Sequence, residues 1–150
     1  MLRAAHASHT GSLYLVDVDP PAGIIELVRD THLETCTAQQ RIVFWFTRST
    51  NQAFMFPNAM ATELLLCTTR FTAHDVPILR GNVVITAVDA TGRPAALTNH
   101  QIHQLTHSAL SKREQRIITH RFYRDARTQR RRALAEHATH RDTRLPWPGR

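Results

Sequence analysis

Ile42-Val43-Phe44-Trp45-Phe46 is the stretch that decides the fold, the strongest strand signal in the chain and built of β-branched and aromatic residues. Ser49-Thr50-Asn51-Gln52 predicts a turn after it, and Ala53-Phe54-Met55-Phe56 a returning strand. Pro57 ends that strand, because it has no N–H for the ladder. Asn58 then suits the cap of a helix over about 59–67. Upstream, Leu13-Tyr14-Leu15-Val16-Asp17-Val18 reads as a strand and Asp19-Pro20-Pro21-Ala22-Gly23 as a turn. Ile24-Ile25-Glu26-Leu27-Val28 reads as a second strand, paired with the first as a hairpin. Thr31 and Glu34 have the spacing of a capping box, which predicts a helix over about 32–41. Downstream, a looser stretch carries Pro77 and Gly81. Asn82-Val83-Val84-Ile85-Thr86-Ala87-Val88 is the last clear strand and Asp89-Ala90-Thr91-Gly92 its turn, with 93–97 left ambiguous.

From Thr98 the pattern becomes helical. Thr98 with Gln101, and Ser111 with Glu114, form two capping boxes, predicting helices over about 99–110 and 112–139. The end, Leu145-Pro146-Trp147-Pro148-Gly149-Arg150, is broken by proline and reads as loose. The expected fold class is α/β, in the α+β sense: a small mixed or antiparallel sheet with short helices, followed by a basic C-terminal helical extension. The expected division is a flexible leader over 1–11, a compact domain over 12–110 and an Arg-rich extension over 111–150.

A length of 150 residues fits one domain, and 42% apolar residues suffice for a real core. No run approaches the ~20 apolar residues of a membrane span, so no membrane is expected as partner. The polar start MLRAAHASHTGS has no apolar h-region, which points to the cytoplasm. Cys36 and Cys67 are too few for a disulfide scaffold, and both read as packed thiols in helices.

The charge is uneven. Residues 1–110 hold seven arginines against eight acids, a net of −1. Residues 111–150 hold Lys112 and eleven arginines against four acids, a net of +8. The near absence of lysine fits the codon bias of a GC-rich genome, but such a bias does not gather the charge at one end. An acidic partner is implied, most often nucleic acid.

On a helical wheel Arg113, Arg116, His120, Arg124, Arg127 and Arg131 share one sector about 80° wide, with Ile118, Phe122, Ala126 and Ala133 opposite. The arginines follow one another at ~5–6 Å along the axis, a repeat of the same order as that of phosphates along a strand. Arg130, Arg131 and Arg132 add charge around the helix, and Tyr123 is placed to stack on an exposed base. The predicted nucleic-acid-binding set is therefore Arg113, Arg116, Arg124, Arg127, Arg130, Arg131, Arg132 and Tyr123. No helix-turn-helix or other docking unit is visible, so contacts to phosphates are expected rather than base reading. The apolar stripe is thin, so the helix depends on packing against the body, on a partner or on a second copy of the chain.

The stretch from Leu13 to about Leu105 resembles a small domain-of-unknown-function family of actinobacteria, their phages and mobile elements. The likeness rests on Asp19-Pro20-Pro21-Ala22-Gly23 and on Asn58-x-x-Ala61-Thr62. It rests further on Gly81-x-Val83-Val84, Asp89-x-x-Gly92 and Leu97-Thr98-x-x-Gln101. The resemblance implies a compact α/β fold and a mobile-element setting, and supplies no catalytic residue.

His100, His103 and His107 share one face of the first C-terminal helix, and His103 with His107 has the i, i+4 spacing that chelates zinc, nickel or copper. The plainer reading is a solvated histidine face. His74, Asp89 and Cys67 are the candidates for a further ligand. Asp17 and Asp19, with Glu26, are a weaker candidate for a hard cation. There is no HExxH, GxGxxG, GxxxxGK[ST] or GxSxG motif, and a Cys/His nucleophile pair has only composition behind it. The expected function is non-enzymatic and without cofactor: an accessory or regulatory protein that binds nucleic acid through its tail. The alternative is a module that docks an acidic protein or itself, and the third reading is a metal-dependent enzyme using the histidine stripe.

Overall fold

The computed structural model describes residues 1–48 and 56–142, with side chains as far as Thr139. The strands are β1 Leu2–Ala7, β2 Leu13–Val18, β3 Glu34–Thr37, β4 Ile42–Phe46, β5 Val83–Val88 and β6 Pro94–Ala95. The helices are α1 Ala22–Val28, α2 Ala59–Thr68, α3 Asn99–Thr106 and α4 Lys112–Asp142. All strands join one antiparallel sheet in the order β2-β1-β5-β4-β3, with β6 paired to β5. The class is α+β, as the sequence predicts, and the sheet is antiparallel throughout.

Register sorts the side chains onto two faces. Ala5, Ile85 and Phe44 lie opposite one another, and their neighbours His6, Val84 and Trp45 point the other way. The first face carries the main core, where Phe44, Ile85, Leu65, Leu97, Leu105 and Ile118 are packed from the sheet, α2, the link between β6 and α3, α3 and α4. The second face is covered by α1, whose Ile24 and Val28 meet Ala4, Val18 and Val84. Strands β4 and β5 therefore read as almost continuous apolar runs, because both of their faces are covered; the one polar member, Thr86, is buried with its hydroxyl bonded to Trp45 and Ala87.

Three expectations are corrected here. Residues 1–11 are not a leader: Leu2–Ala7 is a strand between β2 and β5, with Ala4, Ala5 and Ala7 buried. Alanine between Arg3 and His6 gives little strand signal, and the long-range pairing overrides it. The run 24–28 is not a strand but the core of α1. A five-residue apolar run does not separate the two periods, and burial at Ile24 and Val28 follows the helical i, i+4 step. The hairpin partner of β2 is β1 instead.

Residues 32–41 are not a helix. Glu34–Thr37 is an edge strand on β4, and Gln39–Arg41 is a single 3-10 turn. Thr31 caps nothing: the Asp30 carboxylate takes the His32 N–H at 2.8 Å and the Thr47 hydroxyl at 2.9 Å. Glu34, freed from a capping role, pairs with Arg48 at 2.6 Å. Cys36 thus sits in a strand, while Cys67 lies in α2 as expected. The turn and return strand expected over 49–56 lie largely outside the described residues; Phe56 is in a bend, and Pro57 bridges to Arg80.

The predicted caps are present. Asn58 accepts the Ala61 N–H at 3.0 Å and starts α2. Thr98 and Gln101 exchange both bonds of a capping box at α3, and Ser111 and Glu114 do the same at α4. The Gln101 amide also donates to the Gln40 carbonyl at 2.9 Å, tying α3 to the 3-10 turn.

Candidate functional site

Helix α4 is both part of the core and the main carrier of charge. Ile118 is 1% exposed within the main core, and Ile117 and Phe122 pack against its edge. The inward face continues with polar residues. The Arg121 guanidinium donates to the carbonyls of Ala73 at 2.9 Å and Val76 at 2.7 Å. Asp125 forms an ion pair with Arg80. Gln129 is the last half-buried side chain, and residues 130–139 are all exposed. The helix therefore leaves the body after Gln129 and runs on for about 20 Å at 1.5 Å per residue.

The face turned to the body differs from the one the apolar residues suggest. Ile118 and Phe122 point inward as expected, but Ala126 and Ala133 are exposed. The inward face is rotated by roughly 70° toward Arg121 and Asp125. Hydrogen-bonded and ion-paired polar groups fill the place that a purely apolar wheel gives to alanine.

The rotation leaves the arginine row outside. Arg113, Arg116, His120, Arg124, Arg127 and Arg131 are all exposed, as are Arg130 and Arg132. Among the described residues, no ion pair within 4.0 Å involves any of these arginines. Two acids of the helix are engaged elsewhere, Glu114 in its capping box and Asp125 with Arg80. From Arg113 to Arg131 the row spans about 27 Å at the helical rise. Tyr123, 64% exposed, borders it. All eight predicted binding residues are exposed; seven stand on the outer surface of the helix whose orientation is fixed by Ile118, Arg121 and Asp125, while Arg132 shares the direction of Arg121 and borders a cavity with Phe71 and Pro77.

The histidine stripe is where the spacing places it, on the exposed side of α3. His100, His103 and His107 are exposed while Leu105 is buried. The rings of His103 and His107 stack with centroids 3.9 Å apart. Nδ1 of His107 lies 3.0 Å from both the His103 carbonyl and the Thr106 hydroxyl. Among the described residues, no three His, Cys, Asp or Glu side chains come together in a way that could hold a metal ion. The Asp89 carboxylate is occupied by its own turn, taking bonds from Thr91 and Arg93. Asp17, Asp19 and Glu26 are exposed and form no such group.

Cys67 and His107 do line one small cavity of about 200 Å³, together with Gln39, Gln104 and Ser108. Burial raises the Cys67 thiol above its ordinary pKa, and the carboxylates of Glu114 and Glu63 push it further the same way. A nucleophilic cysteine needs the opposite, a thiolate favoured by positive neighbours. The environment therefore opposes a Cys/His nucleophile.

Sequence reasoning missed Arg121 and Asp125, which look like further charges of the tail until the carbonyls of Ala73 and Val76 and the guanidinium of Arg80 are in place. It also missed Phe56, 68% exposed beside α4. The chain matches no protein-family model, no curated protein and no solved structure.

Proposed function

We propose that this protein is a non-enzymatic nucleic-acid-binding protein that grips phosphates through the outer face of α4. The observation that carries the reading is the exposed row Arg113, Arg116, Arg124, Arg127 and Arg131 without a carboxylate partner among the described residues. Guanidiniums aligned along about 27 Å of one helix face, in two groups on either side of His120, complement the phosphates of a polymer. Guanidinium is suited to this because its forked donors match phosphate oxygens. Docking of α4 on the body holds the row in one direction, which a solvated basic tail does not need. Contacts of this kind position a ligand and carry little sequence information. In the mobile-element setting that the family resemblance implies, such a protein acts as an accessory or regulatory factor. An acidic protein partner is the competing reading, and binding of an oligonucleotide separates the two.

Removing the tail is a poor test, since Ile118 and Phe122 belong to the core packing and truncation at Ser108 would open it. The test is the variant R113Q/R116Q/R124Q/R127Q, all outward positions, with its fold checked by circular dichroism. Electrophoretic shift of an oligonucleotide is expected with the natural chain and lost with the variant. An unchanged shift overturns the reading.

A further inference from the structure

Beside the arginine row lies an apolar groove of about 470 Å³, within the ~300–1,000 Å³ range of small-ligand sites. Phe56 and Pro57 form one wall, and Ala126 and Ala133 of α4 lie across from them. Arg130 and Arg132 stand on its rim. The acids there are Asp125, already paired with Arg80, and Glu136. Phe56 is 68% exposed, so a large aromatic ring is left to water next to arginines that have no ion pair among the described residues.

We infer that the ligand of α4 is single-stranded, and that an unpaired base leaves the phosphate track to stack on Phe56 in this groove. The inference rests on the phosphate-binding reading of α4. Three features favour a base as occupant. The facing helix offers the methyl groups of Ala126 and Ala133, at i and i+7, with the Gln129 amide beside them, small apolar contacts and a hydrogen-bonding group for a planar base. On the wheel, Tyr123 and Arg130 lie between the row and the two alanines, so cationic and aromatic groups join the phosphate track to the groove without a break. The rim arginines complement the phosphates on either side of a stacked base, the combination by which single strands are held without sequence preference. A duplex keeps its bases inside and would leave Phe56 and the groove unused.

The probes are an oligothymidylate and an abasic oligomer of the same length, which keeps the phosphates and lacks the bases. The natural chain is expected to prefer oligothymidylate about tenfold or more. Phe56→Leu, still apolar but not aromatic, should abolish the preference while leaving abasic binding unchanged. Phe56→Trp should keep it. Equal binding of both oligomers, or a preference that survives in Phe56→Leu, overturns the inference alone and leaves the phosphate reading standing. Failure to bind either oligomer while a duplex is bound overturns the inference alone, and failure to bind the duplex as well overturns both.

Discussion

Arg80 and Asp125 face each other in a two-bond ion pair, Nη1 to Oδ2 at 2.9 Å and Nη2 to Oδ1, with side chains only 27% and 14% exposed. Arg80 precedes β5, and Asp125 lies in the middle of α4, so the pair fastens the long helix to the body. Breaking it leaves one charge poorly solvated. Asp125→Ala is expected to cost about 1.5–3 kcal/mol in urea unfolding. Arg124→Ala, one position away but outward, should stay within about 0.5 kcal/mol. Equal effects of the two would contradict the docking described.

Ile118 joins the same core as Phe44 and Leu65. Ile118→Ala should cost about 2–5 kcal/mol. Because helix and sheet share that core, far-ultraviolet and tryptophan signals should move together. A separate early melting of α4 would show that the helix is an appendage.

The parts of this fold legible in the sequence are those fixed by local chemistry. Strands β2, β4 and β5, the Asn58, Thr98 and Ser111 caps and the Asp89 turn all follow from residues within a few positions of one another. The misreadings share another cause. Strand β1 exists because β2 and β5 take its hydrogen bonds, and α1 because Ile24 and Val28 find the sheet. Neither neighbour is visible in the local pattern. The same holds on α4: the arginine sector follows from spacing alone, whereas the inward roles of Arg121 and Asp125 depend on the carbonyls of Ala73 and Val76 and on Arg80.

His6 lies half-buried on β1, its Nε2 without a hydrogen-bond partner among the described residues. Burial lowers its pKa from the ordinary 6.5; Asn82 opposes this, while His9 and Arg29 add to it. Below pH 6.5 the unfolded chain therefore binds the proton more readily than the folded one. The contribution of His6 is intact above that pH and declines as the pH falls toward the lowered folded value. Stability should drop between pH 7 and the weakly acidic range, and His6→Leu should flatten that drop. An unchanged pH profile in His6→Leu would remove His6 from the account.

Burial raises the pKa of both cysteine thiols, with Glu114 and Glu63 adding at Cys67. At pH 7.5 alkylation by iodoacetamide should be slower than for a cysteine in an unfolded peptide, because the thiolate is the reacting form. Unfolding in urea should bring both to the peptide rate. Fast reaction of Cys67 in the native protein would revive a nucleophilic role beside His107.

The most direct measurement is the salt dependence of binding to a single-stranded oligomer, for the natural chain and for R113Q/R116Q/R124Q/R127Q. Each neutralised phosphate contributes about −0.7 to the slope of log affinity against log salt on a single strand. The natural chain should show a slope of roughly −3 to −4, and the variant should lose most of it. A slope near zero, or one the variant leaves intact, would contradict the claim that the outer face of α4 is a phosphate-binding edge.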